Sequence, residues 1–126
     1  MKTLLLMLSL TLGAYGMDQA TAVRHAQAIA AALNGKVWGI SDTGSMLPTL
    51  TPSSIVVVAP VAYDDVKVGD IVTFTRPIDD ATVAHRVIRI DRFGRIWTKG
   101  DSAERNDGVL TPDRLRGRVV AILHTQ

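Results

Sequence analysis

A serine, a histidine and two carboxylates follow one another along this chain as Ser45, His85, Asp101 and Asp107. Ser45 lies in Thr43-Gly44-Ser45-Met46-Leu47-Pro48-Thr49-Leu50, and His85 lies in Ala84-His85-Arg86-Val87-Ile88. The acids lie in Thr98-Lys99-Gly100-Asp101 and Asn106-Asp107-Gly108. A serine hydroxyl is a poor nucleophile near neutral pH unless a base takes its proton. That base in turn needs an acceptor that fixes its tautomer and stabilises its charged form. The set therefore has the parts of a serine peptidase: a hydroxyl, an imidazole base and a choice of two orienting acids. Residue types alone leave open which acid, Asp101 or Asp107, holds the histidine.

The neighbours of Ser45 sharpen the reading. Gly44 allows close approach of a substrate backbone, and Pro48 stiffens the exit from the turn. Thr43, two residues before the serine, is placed to aim its hydroxyl into the same space as the Ser45 backbone N–H, where the pair would hold an oxyanion. In strict strand alternation His85 shares a face with Val83, Val87 and Arg89, and Arg86 shares the other with Ala84, Ile88 and Ile90. His25 and His124 are poorer bases, one in a helix near the N-terminus and the other beside the C-terminus. Lys99 could be taken for the base of a serine–lysine pair, but it falls outside the segment that carries His85.

These groups must be carried by something, and the texture of the chain says what. Asp18 to Leu33 reads as one helix, with Ala22, Val23, Ala26, Ile29, Ala30 and Leu33 forming a stripe, Asp18 as N-cap and Asn34-Gly35 as the stop. That stripe is mostly alanine, and its expected use is packing on the domain. After Gly35 short β-branched runs take over: 37–40, 55–58, 71–75, 82–90, 95–99 and 118–123. Pro52-Ser53, Asp64-Asp65, Pro77 to Asp80, Arg92-Phe93-Gly94 and Asn106-Asp107-Gly108 read as the turns between them. The expected fold is mainly β with one N-terminal α-helix, spanning residues 17–35 for the helix and 36–126 for the β domain.

Composition narrows the functions. A chain of 126 residues has room for one modest domain. A formal net charge of +2 and 5% aromatic residues argue against a nucleic-acid partner. With no cysteine, a disulfide framework, a thiol nucleophile and thiolate metal sites are excluded. No His/Asp/Glu spacing argues for a metal, and the chemistry described needs no cofactor.

Residues 1–16 read separately. Met1-Lys2 supplies a positive start, Leu4 to Leu12 is almost continuously apolar, and Ala14-Tyr15-Gly16 places small residues before a cut. This is the pattern of a secretory signal peptide, with cleavage expected after Gly16. The apolar run is shorter than the about 20 residues a spanning helix needs. The competing reading is a short uncleaved anchor, so the expected location is exported, in the periplasm, cell envelope or medium, with membrane association left open.

Several stretches, in this order, resemble the signature boxes of the signal peptidase I family. Ser45-Met46-Leu47-Pro48-Thr49-Leu50 is similar to its nucleophile box, and Val68-Gly69-Asp70-Ile71-Val72-Thr73-Phe74 to the strand box after it. Ala84-His85-Arg86-Val87-Ile88 is similar to the general-base box. Lys99-Gly100-Asp101 through Asp107-Gly108 resembles the last box, and Gly117-Arg118-Val119-Val120 the closing strand. The likeness covers about Val37 to Leu123. Bacterial members usually carry lysine where this chain has His85, whereas the archaeal and endoplasmic-reticulum type has histidine followed by Arg-Val, as here.

That resemblance implies a signal peptidase-like β domain and a serine endopeptidase that cuts extended, signal-peptide-like segments after small residues. It implies Ser45 as nucleophile, His85 as general base, Asp107 as orienting acid, Asp101 as a supporting acid and Thr43 as an oxyanion-hole hydroxyl. The chain departs from the family in one respect: the helix before the nucleophile box is broken by Arg24, His25 and Gln27 and is not a membrane span. Two other classes remain. One is a self-cleaving repressor-type relative, which needs a lysine base, and the other is a non-catalytic binding module on the same fold.

Overall fold

The structure is a computed structural model that describes residues 10–12, 17–41 and 43–125. The signal-peptide expectation for residues 1–16 falls outside the described residues except at Leu10–Leu12. The chain is mainly β: strands β1 (Leu10–Leu12), β2 (Lys36–Gly39), β3 (Ser54–Ala59), β4 (Ile71–Thr75), β5 (Thr82–Ile90), β6 (Ile96–Lys99), β7 (Val109–Leu110) and β8 (Leu115–His124), with one α-helix, α1 (Gln19–Leu33). Its contacts divide it into two compact units.

The first unit comprises Met1–Asp42, Thr51–Ala59 and Val119–Gln126. Asp18 caps α1 by accepting from Thr21 N at 2.7 Å, which satisfies one of the orphan amides of the first turn. Asn34, in the left-handed region at φ 55°, ends the helix, and Gly35 N donates to Ala30 O at 2.8 Å. Gly35 is required by space: a Cβ there would stand 2.7 Å from Val58 O. Ala22, Ala26 and Ala30 are buried with Ile55, Val57, Ala121 and Leu123, so small side chains let the helix lie close to its strands. Leu33, expected on that stripe, is instead 47% exposed because the helix stops there. β2 pairs with β3 in antiparallel register, β3 neighbours β8, and β1 pairs with β8 in parallel.

The second unit comprises Thr43–Leu50 and Pro60–Arg118 and holds all the candidate site residues. Its antiparallel order is the first part of β8, then β4, β5, β6 and β7. Val66, Val72, Phe74, Val87, Ile96 and Leu110 form its core, with Val83 and Ile90 packed against them. Burying aliphatic and aromatic side chains of this kind contributes about 1.5–3 kcal/mol each. The β5–β6 hairpin turns at Asp91, whose Oδ1 accepts from Phe93 N at 2.9 Å and Arg95 N at 3.0 Å, with Gly94 at φ 78°.

Two sequence expectations need correction here. Strict alternation fails on β5, because the β5–β6 register shifts between Val87 and Arg89. The extra residue of a bulge swaps faces beyond it, so Ile90 rather than Arg89 joins Val83 and Val87 in the core, and Arg89 is exposed. The closing strand begins at Leu115 instead of Arg118, and the two-residue β7 lies just after the Asn106-Asp107-Gly108 turn, where no strand was expected.

Candidate active site

Ser45 sits in a tight turn that the sequence builds from a glycine and two buried anchors. Gly44 takes φ 77°, a left-handed conformation that favours glycine, and Met46 and Leu50 are buried on either side of the exposed Leu47 and Pro48. Leu50 N donates to Met46 O at 2.9 Å, and the Leu47–Pro48 peptide bond is cis. Ser45 itself is half-buried. Ser102 fastens the turn from outside, donating from its hydroxyl to Gly44 O at 2.6 Å and from its amide to Ser45 O at 3.1 Å.

His85 stands on β5 opposite Val72 of β4, on the buried face of the sheet and only 8% exposed. Its ring meets Phe74 edge to face, with centroids 5.9 Å apart. Pairing of Arg86 with Lys99 and Val87 with Thr98 brings the end of β6 alongside it. From the loop after β6, Asp107 returns: its amide donates to Thr98 O at 2.7 Å, and its Oδ2 lies 2.7 Å from His85 Nδ1. Thr98 donates its hydroxyl to the same Oδ2 at 2.8 Å. Burial pushes the Asp107 carboxyl upward, but the hydrogen bonds from His85 and Thr98 outweigh it and hold the group below its ordinary value. An ionised Asp107 accepts from Nδ1–H, which leaves Nε2 as the basic nitrogen.

That nitrogen is turned toward the serine turn across Gly100. A Cβ at Gly100 would stand 3.3 Å from His85 Nε2 and 2.8 Å from Ser45 O, so the two segments converge just past the end of β6, at a residue without a side chain. The Ser45 hydroxyl has Thr43 Oγ1 as its neighbour at 3.4 Å, and Thr43 Oγ1 also accepts from Ser45 N at 3.4 Å. Both contacts are long for hydrogen bonds of this type. Among the described residues no hydrogen bond joins Ser45 Oγ to His85.

Asp101 belongs to a different cluster. Arg86 forks onto it, Nε to Oδ1 and Nη2 to Oδ2, both at 2.8 Å, and Thr49 donates to Oδ2 at 2.6 Å. The guanidinium holds the Asp101 carboxyl below its ordinary value, and Asp101 in turn raises that of Arg86. Arg86 also donates to Gly69 O at 2.9 Å, so the fork joins the loop before β4, the strand β5, the end of β6 and the serine turn. Lys99 donates its ammonium to Gly100 O and Ala103 O at 2.7 and 2.8 Å, which ties down the loop that follows it.

The structure thus brings His85 and Asp107 together, sets Thr43 beside Ser45, and assigns Asp101 to Arg86 and Thr49. Thr49, Thr98 and Ser102 were not singled out from sequence as parts of this site. Thr98 carries a readable signal, since it shares a face with His85 in the hairpin pattern, whereas Ser102 carries none. No group of three or more His, Asp or Glu side chains among the described residues is placed to hold a metal ion. No helix among them is long and apolar enough to cross a membrane. No protein-family model matches the chain, and no curated protein matches it either.

Proposed function

We propose that this chain is a serine endopeptidase of the signal peptidase I type working through Ser45, His85 and Asp107. The observation that carries the reading is the 2.7 Å contact between His85 Nδ1 and Asp107 Oδ2, with Nε2 facing the point where the Ser45 turn meets Gly100. In this reading Nε2 takes the Ser45 proton as Oγ attacks the scissile carbonyl. It then delivers that proton to the leaving amine, and water repeats the cycle on the acyl-enzyme. Asp107 stabilises the imidazolium formed in between. The Ser45 amide and the Thr43 hydroxyl would receive the oxyanion, each giving up its present long contact with the other residue.

The reaction needs Ser45 Oγ to turn from Thr43 to His85. Such contacts are commonly loose in a free enzyme and tighten when substrate binds. Substrates would be extended peptides with small residues before the cut, and the N-terminal pattern of residues 1–16 supports work outside the cytoplasm. The binding-module reading draws on the Thr43 contact of Ser45. The repressor-type reading lacks its base, since the Lys99 ammonium is held by two carbonyls.

The test is mass-spectrometric analysis of a signal-peptide substrate incubated with the protein and with its Ser45→Ala variant. A single cut after a small residue, absent with the variant, is expected. An intact substrate with the wild-type protein would favour the binding module.

A further inference from the structure

The β5–β6 hairpin ends in a group of side chains that hydrolysis at Ser45 does not use. Phe93, at its tip, is 67% exposed. Two guanidinium groups flank its ring, Arg92 with Cζ at 4.9 Å and Arg95 with Cζ at 5.2 Å from the centroid. Behind the tip Arg89 covers Trp97, with Cζ 4.4 Å from its ring. The strand registers set Arg89 opposite Trp97 and Trp97 opposite the exposed Val109, so one row of the sheet continues the patch.

The one acid within this hairpin is consumed by it. Asp91 accepts from the amides of Phe93 and Arg95, from Arg95 Nε at 2.8 Å and from Trp97 Nε1 at 3.1 Å. These bonds hold its carboxyl far below the ordinary range even though burial opposes them. They also fix the tip, so Phe93 is displayed by a rigid turn and loses little freedom on binding.

We propose that this hairpin is a peripheral attachment site for the surface of a membrane rich in anionic lipids. Guanidinium groups pair with lipid phosphates through paired N–H donors. A phenyl ring at the tip inserts below the headgroups, and a tryptophan behind it suits the interface. Nucleic acid fits less well, because successive bases need several aromatic platforms along a groove, and here one ring stands at a point. The site is remote from the chemistry: the tip lies beyond the end of β5 at Ile90, which is five residues along the strand from His85, about 16 Å at ~3.3 Å per residue. The proposal therefore goes beyond the peptidase reading and stands or falls separately from it.

The test is co-sedimentation of the full chain with vesicles of phosphatidylcholine alone and of equal parts phosphatidylcholine and phosphatidylglycerol. Wild type, Arg92→Gln and Phe93→Ser are compared at low and high salt. Among the described residues neither the Arg92 nor the Phe93 side chain makes a hydrogen bond, so both variants should keep the wild-type thermal midpoint. The apolar run Leu4 to Leu12 is common to all three proteins, so the ratios between them read the hairpin alone. Binding should favour the anionic vesicles and weaken with salt. It should fall about fivefold in Arg92→Gln and about tenfold or more in Phe93→Ser. Equal binding by all three proteins, indifference to phosphatidylglycerol, or retention on a single-stranded oligonucleotide in preference to vesicles would overturn the proposal. Cleavage of a soluble peptide should be the same in all three, whichever way the vesicle result falls.

Discussion

His85 and Asp107 share a 2.7 Å contact between Nδ1 and Oδ2 although one lies on a strand and the other in a loop 22 residues on. The contact pairs His85 with Asp107 and not with Asp101, which spends both its oxygens on Arg86 and Thr49. The two carboxylates therefore have separable effects. Asp107→Asn should fold normally and lose kcat by a factor on the order of 10²–10⁴ with little change in KM, since the imidazolium it stabilises forms only during reaction. Steady-state kinetics beside a thermal melt checks this, and a variant that is slow only because it is unfolded would contradict it.

Asp101→Asn should behave in the opposite way. The fork with Arg86 is partly buried, the side chains being 16% and 32% exposed, and losing it leaves a guanidinium short of a partner. The expected loss is about 1–3 kcal/mol of stability. Activity should follow the folded fraction, since the fork also ties Thr49 of the serine turn to β5.

The same fork gives a pH dependence with a definite sign. The folded Asp101 carboxyl lies below its unfolded value because Arg86 stabilises its charge. Stability from such a group is complete above the unfolded value, about 3.9, and is lost as pH falls through the folded one. The gap in thermal midpoint between wild type and Asp101→Asn should therefore be constant near neutral pH and close below about pH 4. A gap that stayed constant into strong acid would show that the fork contributes no charge-dependent stability.

Replacement of the proposed nucleophile is the cleanest comparison. Ser45 is half-buried, and among the described residues its hydroxyl makes only a 3.4 Å contact with Thr43 Oγ1. Ser45→Ala should change stability by less than about 0.5 kcal/mol while abolishing peptide cleavage. Retained cleavage at the same bond would remove Ser45 from the mechanism.

Much of this arrangement was legible in the residues, and the reasons for the exceptions are physical. The β-branched runs of β3, β4 and β5 have few other uses, and Asp18 and Asn34 mark the helix ends through bonds local to the chain. The face swap after Val87 was not legible, since a bulge depends on what the partner strand offers. β7 has two residues, too few for a period, and in β8 Gly117 between Arg116 and Arg118 hides an alternation that burial makes plain. At the site, the resemblance implied Asp107 beside His85 and Asp101 as a supporting acid, but what Asp101 supports could not be read. It depends on Thr49, 52 residues away in sequence, and on a fork whose geometry no local pattern encodes.

Lys99 supplies the last test, because it separates a histidine base from a lysine base. Its ammonium donates to Gly100 O and Ala103 O and so braces the loop that passes between His85 and Ser45. An arginine at this position keeps N–H donors for those carbonyls but cannot lose its proton in a protein. Lys99→Arg should therefore retain activity within a few-fold if His85 Nε2 is the base, whereas Lys99→Met should loosen the loop and lower activity further. Gly100→Ala should be more damaging than either, since its Cβ would press on Ser45 O at 2.8 Å and strain the turn, at a cost of about 1–3 kcal/mol. The rates of the three variants on one peptide, measured with their thermal midpoints, rank these effects. A dead but fully folded Lys99→Arg protein would transfer the base from His85 to Lys99 and put the repressor-type reading ahead of the signal peptidase one.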